Sequence, residues 1–291
     1  MKGIFSGVIT AMITPFNGGV NFDAFDKLID FQIEGGTDAL VILGTTGEPA
    51  TMTESEKEDT IRFAVKKAAG RIKIIVGAGS NDTQKAVAAA IRAEKLGADG
   101  ILAVTPYYNK CTQTGIFEYY KSICAAVHLP VIAYNVPSRT GVNITPQTAE
   151  KLAGLPNLAG IKEASGNMAQ VCETMRRIRG KCDLFSGEDA LNLPILAIGG
   201  AGVISVVSNI APKQVKLVYD CVKSGRFDRA NEIQDKLLPL IDACFIEVNP
   251  IPVKAACNML GFDAGVPRPP LTELEQEHRE VLLKELKKVI K

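Results

Sequence analysis

Leu158-Ala159-Gly160-Ile161-Lys162-Glu163-Ala164-Ser165-Gly166 is a short apolar run that ends on a lone lysine and breaks into small and polar residues. The run reads as a buried strand and the break as the loop feeding the next helix. An amine held there loses hydration in its charged form, so its pKa falls. The neutral amine can then attack a ketone and form a Schiff base. Lys162 is therefore a candidate nucleophile. The same stretch also admits a strand-end lysine whose stem lies along apolar neighbours while its ammonium reaches water. The rest of the chain has to decide between them.

Outward from that stretch, apolar runs of strand length alternate with segments of helical spacing. Upstream the strands are expected at Val8 to Ile13, Ala39 to Leu43, Ile72 to Val76, Ile101 to Val104 and Val131 to Tyr134. The helices between them are expected at Asp23 to Glu34, from a Thr53 and Glu56 capping box to about Ala69, at Asp82 to Leu96, at about Gly115 to Val127 and at Pro146 to Ala153. Downstream come helix Met168 to Ile178, strand Asp183 to Ser186, helix Asp189 to Ile198, strand Gly202 to Val207 and helix Pro212 to Lys223. Eight strand-helix units in about 225 residues predict the α/β class and a (β/α)8 TIM barrel, with a doubly wound open sheet as the alternative. After Gly225 the alternation stops. Helical segments at Arg226 to Cys244, Pro250 to Leu260 and Thr272 to Ile290 make a C-terminal three-helix extension. A Thr272 and Glu275 capping box should open the last one, and Lys284, Lys287, Lys288 and Lys291 suit its C-terminal dipole. The expected division is a catalytic barrel over 1–224 and an extension over 225–291. The extension shows no polar cluster, which points to assembly rather than chemistry.

Composition narrows the function. Of 291 residues 46% are hydrophobic and the formal net charge is +1, so no electrostatic footprint for nucleic acid or an anionic membrane is present. The seven cysteines are scattered and form no Cys-x-x-Cys pair, which reads as reduced thiols rather than a disulfide framework or zinc ribbon. No apolar stretch reaches the ~18 residues of a spanning helix, and Met1 to Phe5 lacks a signal-peptide apolar region. A cytoplasmic location, no membrane and no nucleic-acid partner are the expectations.

In a barrel, chemistry sits at the carboxyl ends of the strands. The polar residues there are Gly44-Thr45-Thr46-Gly47-Glu48, Pro106-Tyr107-Tyr108-Asn109, Tyr134-Asn135-Val136-Pro137-Ser138-Arg139, Lys162 and Ser186-Gly187-Glu188. A nucleophile, hydroxyls for proton transfer and a guanidinium suited to a carboxylate would share one cavity. Each has a plainer reading: the glycine-threonine segment as a turn or phosphate cradle, the tyrosines as packing aromatics, Arg139 as a solvated loop charge. His128 and His278 join no metal cluster in the sequence, so no metal is expected.

Together with Asn249-Pro250-Ile251-Pro252-Val253-Lys254, these motifs resemble the dihydrodipicolinate synthase family from Gly7 to about Gly261. N-acetylneuraminate lyase and the keto-deoxy-sugar aldolases share the lysine, the tyrosine and the glycine-threonine segment. The tyrosine pair and Arg139 favour the synthases. The resemblance implies pyruvate and L-aspartate 4-semialdehyde as substrates, no cofactor, and a homo-oligomer, dimer or tetramer. It implies Lys162 as Schiff-base lysine and Tyr134 as proton carrier, linked through Thr45 and Tyr108, the latter reaching in from a neighbouring subunit. Thr46 and the backbone at Ile204 would hold the pyruvate carboxylate, Arg139 the second substrate's carboxylate, and Gly187 would line the substrate site. Lysine-inhibited members bind that amino acid beside the residue matching Tyr107. Tyr107 and Asn81 match that crevice, but Glu54, Lys57 and Lys85 depart from it, so weak or absent feedback by L-lysine is expected.

Overall fold

The computed structural model describes residues 3–290; Met1, Lys2 and Lys291, with the expectations that touch them, lie outside. β1 (Gly7–Ala11) is followed by a small antiparallel hairpin, β2 (Phe16–Asn17) and β3 (Gly19–Val20). Then α1 (Phe22–Glu34), β4 (Ala39–Ile42), α2 (Glu54–Ala68), β5 (Lys73–Gly77), α3 (Thr83–Lys95), β6 (Gly100–Val104) and α4 (Gln113–Ala126) alternate. Next are β7 (Val131–Asn135), α5 (Pro137–Thr140), α6 (Pro146–Leu152), β8 (Leu158–Glu163), α7 (Met168–Ile178), β9 (Asp183–Ser186), α8 (Asn192–Ala197), β10 (Gly202–Ser205) and α9 (Pro212–Lys223). Apart from the hairpin, the strands run parallel and close into an eight-stranded barrel in the order β1-β10-β9-β8-β7-β6-β5-β4, so the (β/α)8 expectation holds and the open sheet is excluded. Three helices follow: α10 (Phe227–Cys244), α11 (Ile251–Met259) and α12 (Gln276–Val289).

Every residue of β1, β4, β7, β8, β9 and β10 is buried, which is why these strands are mainly apolar and show no polar-apolar alternation, their polar residues lying mostly at the ends. The helices bury one stripe. In α7 the buried positions are Val171, Thr174, Met175 and Ile178, the spacing of a single helical face. Caps set several starts: Asp82 for α3, Thr112 for α4, Thr145 for α6, Asn167 for α7, and the full Thr53/Glu56 box for α2.

The chain packs as two compact units, residues 3–6 with Ile74–Ile204, and Gly7–Lys73 with 205–290. In the first, β7, β8 and β9 pair with Tyr134 opposite Lys162 and Lys162 opposite Phe185. In the second, the buried Gln32 of α1 accepts from the Thr10 and Thr37 hydroxyls and donates to the Ser208 carbonyl, so an interior amide is satisfied by β1 and the segment before α9.

Four details differ from the sequence reading. The segment from Asp189 begins as a 3-10 turn, Asp189–Leu191, before α8. The short α5 and the β2–β3 hairpin carry too few residues to show a period and were not foreseen. The last helix starts at Gln276, and Thr272 does not cap it. Glu247, from the loop after α10, instead ties down the residue before the helix, accepting from the Glu275 backbone N–H at 2.9 Å and lying 2.7 Å from His278 Nδ1. A tertiary carboxylate thereby places negative charge at the N-terminal end of α12, where the helix dipole favours it.

Candidate active site

The first unit holds the lysine. Neighbouring residues at one register of a parallel pair share a face, so Tyr134 and Lys162 stand side by side, while Asn135 and Glu163 stand together on the other face. Lys162 Nζ lies 4.1 Å from the centre of the Tyr134 ring. Lys162 is 5% exposed, and burial draws its pKa down to about 7, with the Asp189 carboxylate opposing and Arg139 reinforcing the fall. A large fraction of this amine is therefore neutral near physiological pH, and the snorkelling alternative is excluded.

The lysine needs room as well as a depressed pKa. A Cβ on Gly187 would stand 2.9 Å from both Cγ and Cε of Lys162 and 3.0 Å from the Ala164 Cβ, so any side chain there displaces the amine's stem. The Gly187 N–H is already given to the Glu163 carbonyl at 2.8 Å. Behind the pair, Asn135 Nδ2 donates to both Glu163 carboxylate oxygens at 3.1 Å, and the Ser165 N–H donates to Glu163 Oε1 at 2.8 Å. Burial raises the Glu163 pKa while these donors hold it down. This buried clamp joins the ends of β7 and β8, the two strands that carry the tyrosine and the lysine. Strand parity was the available signal, since Asn135 follows Tyr134 just as Glu163 follows Lys162.

The remaining first-unit residues are spread over loops and one strand. Arg139 is exposed on α5, which Pro137 opens and Gly141 ends in a left-handed conformation. Tyr108 is 90% exposed with φ +68°, and Tyr107 is 39% exposed. Ile204 is a buried β10 residue. Asp189, buried and hydrogen-bonded by Asn192 Nδ2 at 3.0 Å, reads in the sequence only as a helix start, yet it is an acid acting on Lys162.

The second unit holds the threonines. A 3-10 turn, Thr45–Gly47, leaves β4. Thr46 is buried and accepts from Asn249 Nδ2 at 3.0 Å; Thr45 is half-buried; the Thr14 hydroxyl donates to the Gly47 carbonyl at 2.8 Å. Glu48, at the end of the turn, forms a buried ion pair with Lys254 at 2.7 Å and accepts from the Arg268 backbone N–H at 2.8 Å. Burial lowers the Lys254 pKa and Glu48 opposes it. The expectation that the C-terminal helices hold no polar cluster is overturned by Asn249, Lys254, Glu247 and His278.

A (β/α)8 barrel with a nearly neutral lysine beside a tyrosine at the strand ends belongs to the class of barrels equipped for amine attack on a carbonyl. The chain matches the model of the dihydrodipicolinate synthetase family over residues 4–289, and it belongs to that family. It is 50% identical over 285 residues to a 4-hydroxy-tetrahydrodipicolinate synthase of Caldicellulosiruptor bescii, covering 97% of this chain and 96% of the relative. The crystal structure of dihydrodipicolinate synthase from Aquifex aeolicus superposes with a TM-score of 0.95 at 46% identity, covering 98% of each chain. That of the Thermotoga maritima enzyme does so with a TM-score of 0.96 at 43% identity, covering 98% of this chain and 99% of the other.

Proposed function

We propose that the chain is a lyase that condenses pyruvate with L-aspartate 4-semialdehyde to 4-hydroxy-tetrahydrodipicolinate, the activity its relatives are named for and a step of the diaminopimelate route to lysine. The observation that carries this reading is the buried Lys162, with a pKa near 7 and its amine 4.1 Å from the Tyr134 ring, in a chain of this family.

The neutral Lys162 amine adds to the pyruvate ketone, and loss of water leaves a protonated imine. That imine is an electron sink, so a methyl proton can pass to a base and leave an enamine. The enamine carbon bonds to the aldehyde carbon of the semialdehyde, whose oxygen takes up a proton. The semialdehyde's own amine then attacks the imine carbon, closes the ring and releases the Lys162 amine. No step calls on a metal or cofactor. Tyr134 is assigned the proton transfers and Arg139 the semialdehyde carboxylate, for which a guanidinium fork is suited. Thr45 is assigned to proton passage, Thr46 and the Ile204 backbone to the pyruvate carboxylate, and Gly187 to the substrate wall, each by its place in the matching motif.

Tyr108 is assigned to the proton chain of a second copy of this protein. Its ring is 90% exposed in its own chain while its backbone sits in the left-handed region, a costly way to hold a tyrosine that only meets water. A homo-oligomer, dimer or tetramer, is part of the same proposal, and so is a cytoplasmic location. The division into a barrel over 1–224 and an extension over 225–291 is kept as a proposal about chain organisation. A coupled assay with pyruvate and aspartate semialdehyde, run beside one with N-acetylneuraminate, tests the reading. Turnover of the first pair alone supports it; cleavage of N-acetylneuraminate alone makes the chain a lyase of the other branch.

A further inference from the structure

The turn that carries Thr45 and Thr46 is bounded by two non-glycine residues in the left-handed region, Leu43 with φ +55° and Glu48 with φ +55°. Each such residue costs on the order of 1 kcal/mol or more and persists where its surroundings over-determine it. Here the surroundings come largely from a part of the chain more than two hundred positions away. Asn249 donates to the Thr46 hydroxyl across a sequence separation of 203, and Lys254 pairs with Glu48 across 206.

The Lys254 pair is closed off from water. Lys254 is 0% exposed and the Glu48 side chain 2%, and the ammonium lies 4.1 Å over the Phe16 ring. Arg268 stacks on Phe16 at 4.0 Å, gives its backbone N–H to Glu48, and grips Glu56 of α2 and the Thr51 carbonyl with its guanidinium. Buried ion pairs stabilise little more than an apolar pair of equal volume, so fold stability alone gives no reason for charge at this point. Directionality does: a carboxylate met by Lys254 on one oxygen and by the Arg268 N–H on the other has one orientation, and its backbone is fixed with it. At Thr46 the Asn249 amide occupies a lone pair of the hydroxyl, which leaves the hydroxyl proton to point at another acceptor.

We propose that Asn249 and Lys254 are positioning residues that hold the 45–48 turn so that the Thr46 hydroxyl presents its proton to the carboxylate of the keto acid. The C-terminal extension is thereby part of the substrate-binding apparatus. The inference rests on the proposed function for the identity of that acid.

The test uses full-length protein and three variants, Asn249→Ala, Lys254→Met and the charge-free pair Glu48→Gln with Lys254→Met. For each, the pyruvate concentration giving half-maximal borohydride trapping is measured, together with both substrates' KM values, kcat and the thermal midpoint. Asn249→Ala and the double variant are expected to fold, to need about ten times more pyruvate for half-trapping, a loss of ~1.4 kcal/mol, and to keep kcat and the semialdehyde KM within about threefold. A purely structural role would lower the thermal midpoint and leave the pyruvate dependence of the folded protein unchanged. If Lys254→Met alone does not fold, the double variant, which leaves no uncompensated buried charge, carries the measurement. A wild-type chain that pyruvate does trap, with folded variants that match it in half-trapping concentration, overturns this inference and leaves the proposed function standing. A wild-type chain that pyruvate never traps overturns the proposed function and this inference with it.

Discussion

Lys162 and Lys254 are both buried lysines, 5% and 0% exposed, and burial is the leading influence lowering the pKa of each. The partners that oppose burial differ between them. Lys254 has a carboxylate oxygen at 2.7 Å and an aromatic face at 4.1 Å, so its ammonium is compensated and the amine is no nucleophile. Lys162 stands against a tyrosine ring, with Asp189 drawing its pKa up and Arg139 pushing it down, and settles near 7. Burial alone therefore does not make a catalytic lysine. Burial with weak compensation does, and burial with a bonded carboxylate makes a structural cation.

The sharpest way to break that comparison is to ask which amine reacts. Pyruvate with borohydride should label Lys162 and leave Lys254 unlabelled in a peptide map by mass spectrometry. Lys162→Arg should lower turnover at least ~1000-fold, since covalent catalysis is removed while a cation remains. Adduct on Lys254 would reverse the assignment.

Stability should move in opposite senses at the two sites. Lys254→Met leaves Glu48 buried without its cation and should cost about 3 to 5 kcal/mol in urea unfolding, and adding Glu48→Gln should restore most of it. Lys162→Met should stabilise the fold by a few kcal/mol at low pH, with activity lost. The sign follows from proton counts. The folded pKa of about 7 lies below the amine's ordinary 10.5, so between those values the unfolded chain binds more protons and wild-type stability rises with pH. The variant's advantage should be full below pH 7, shrink through that window and vanish above it. An advantage that does not change from pH 6 to 10 would mean that Lys162 is not desolvated as described.

Arg139 sharpens the comparison from the substrate side. Arg139→Ala should lower kcat/KM for aspartate semialdehyde by about ten- to 150-fold, the equivalent of ~1.5 to 3 kcal/mol, and leave pyruvate trapping at Lys162 intact. Because Arg139 also pushes the Lys162 pKa down, the pH midpoint of trapping should rise in the variant. Equal loss of both half-reactions would assign Arg139 to structure.

The smallest expected effect concerns exposed lysines. Lys57 is paired with Glu54 at 2.8 Å and is partly exposed, and Lys85 is exposed near the start of α3, so neither offers the uncompensated anion that an ammonium ligand needs. L-Lysine should inhibit at best weakly, about tenfold or more poorly than where an acid stands at Lys85, when activity is titrated at low pyruvate. Half-inhibition below about 1 mM that Tyr107→Phe abolishes would contradict this.

Much of the architecture could be read from the chain. The eight alternations, the helix stripes and the Thr53/Glu56 box depend on neighbours within a turn or two, and local sequence records such contacts directly. Lys162 stood out for the same reason, a lone cation closing an apolar run, and the motifs around Thr45, Tyr134 and Arg139 carried the family. What stayed hidden was whatever a distant segment supplies. Thr272 has the sequence of a helix cap, yet the carboxylate at the start of α12 is Glu247; Asp189 and Glu163 read as ordinary acids, yet one acts on the lysine's charge and the other ties β7 to β8.

The sequence by itself determined that the strands would be buried on both faces, that they would alternate with amphipathic helices, and that one lysine would end a strand in apolar company. Periodicity of three to four residues and continuous apolar runs are properties of a segment alone. Only the tertiary structure decided which buried lysine is bonded to a carboxylate and which is left with burial dominating, its pKa drawn down to about 7. That choice depends on whether a carboxylate lies within hydrogen-bonding reach, and the carboxylate that compensates Lys254 is 206 positions away in the chain.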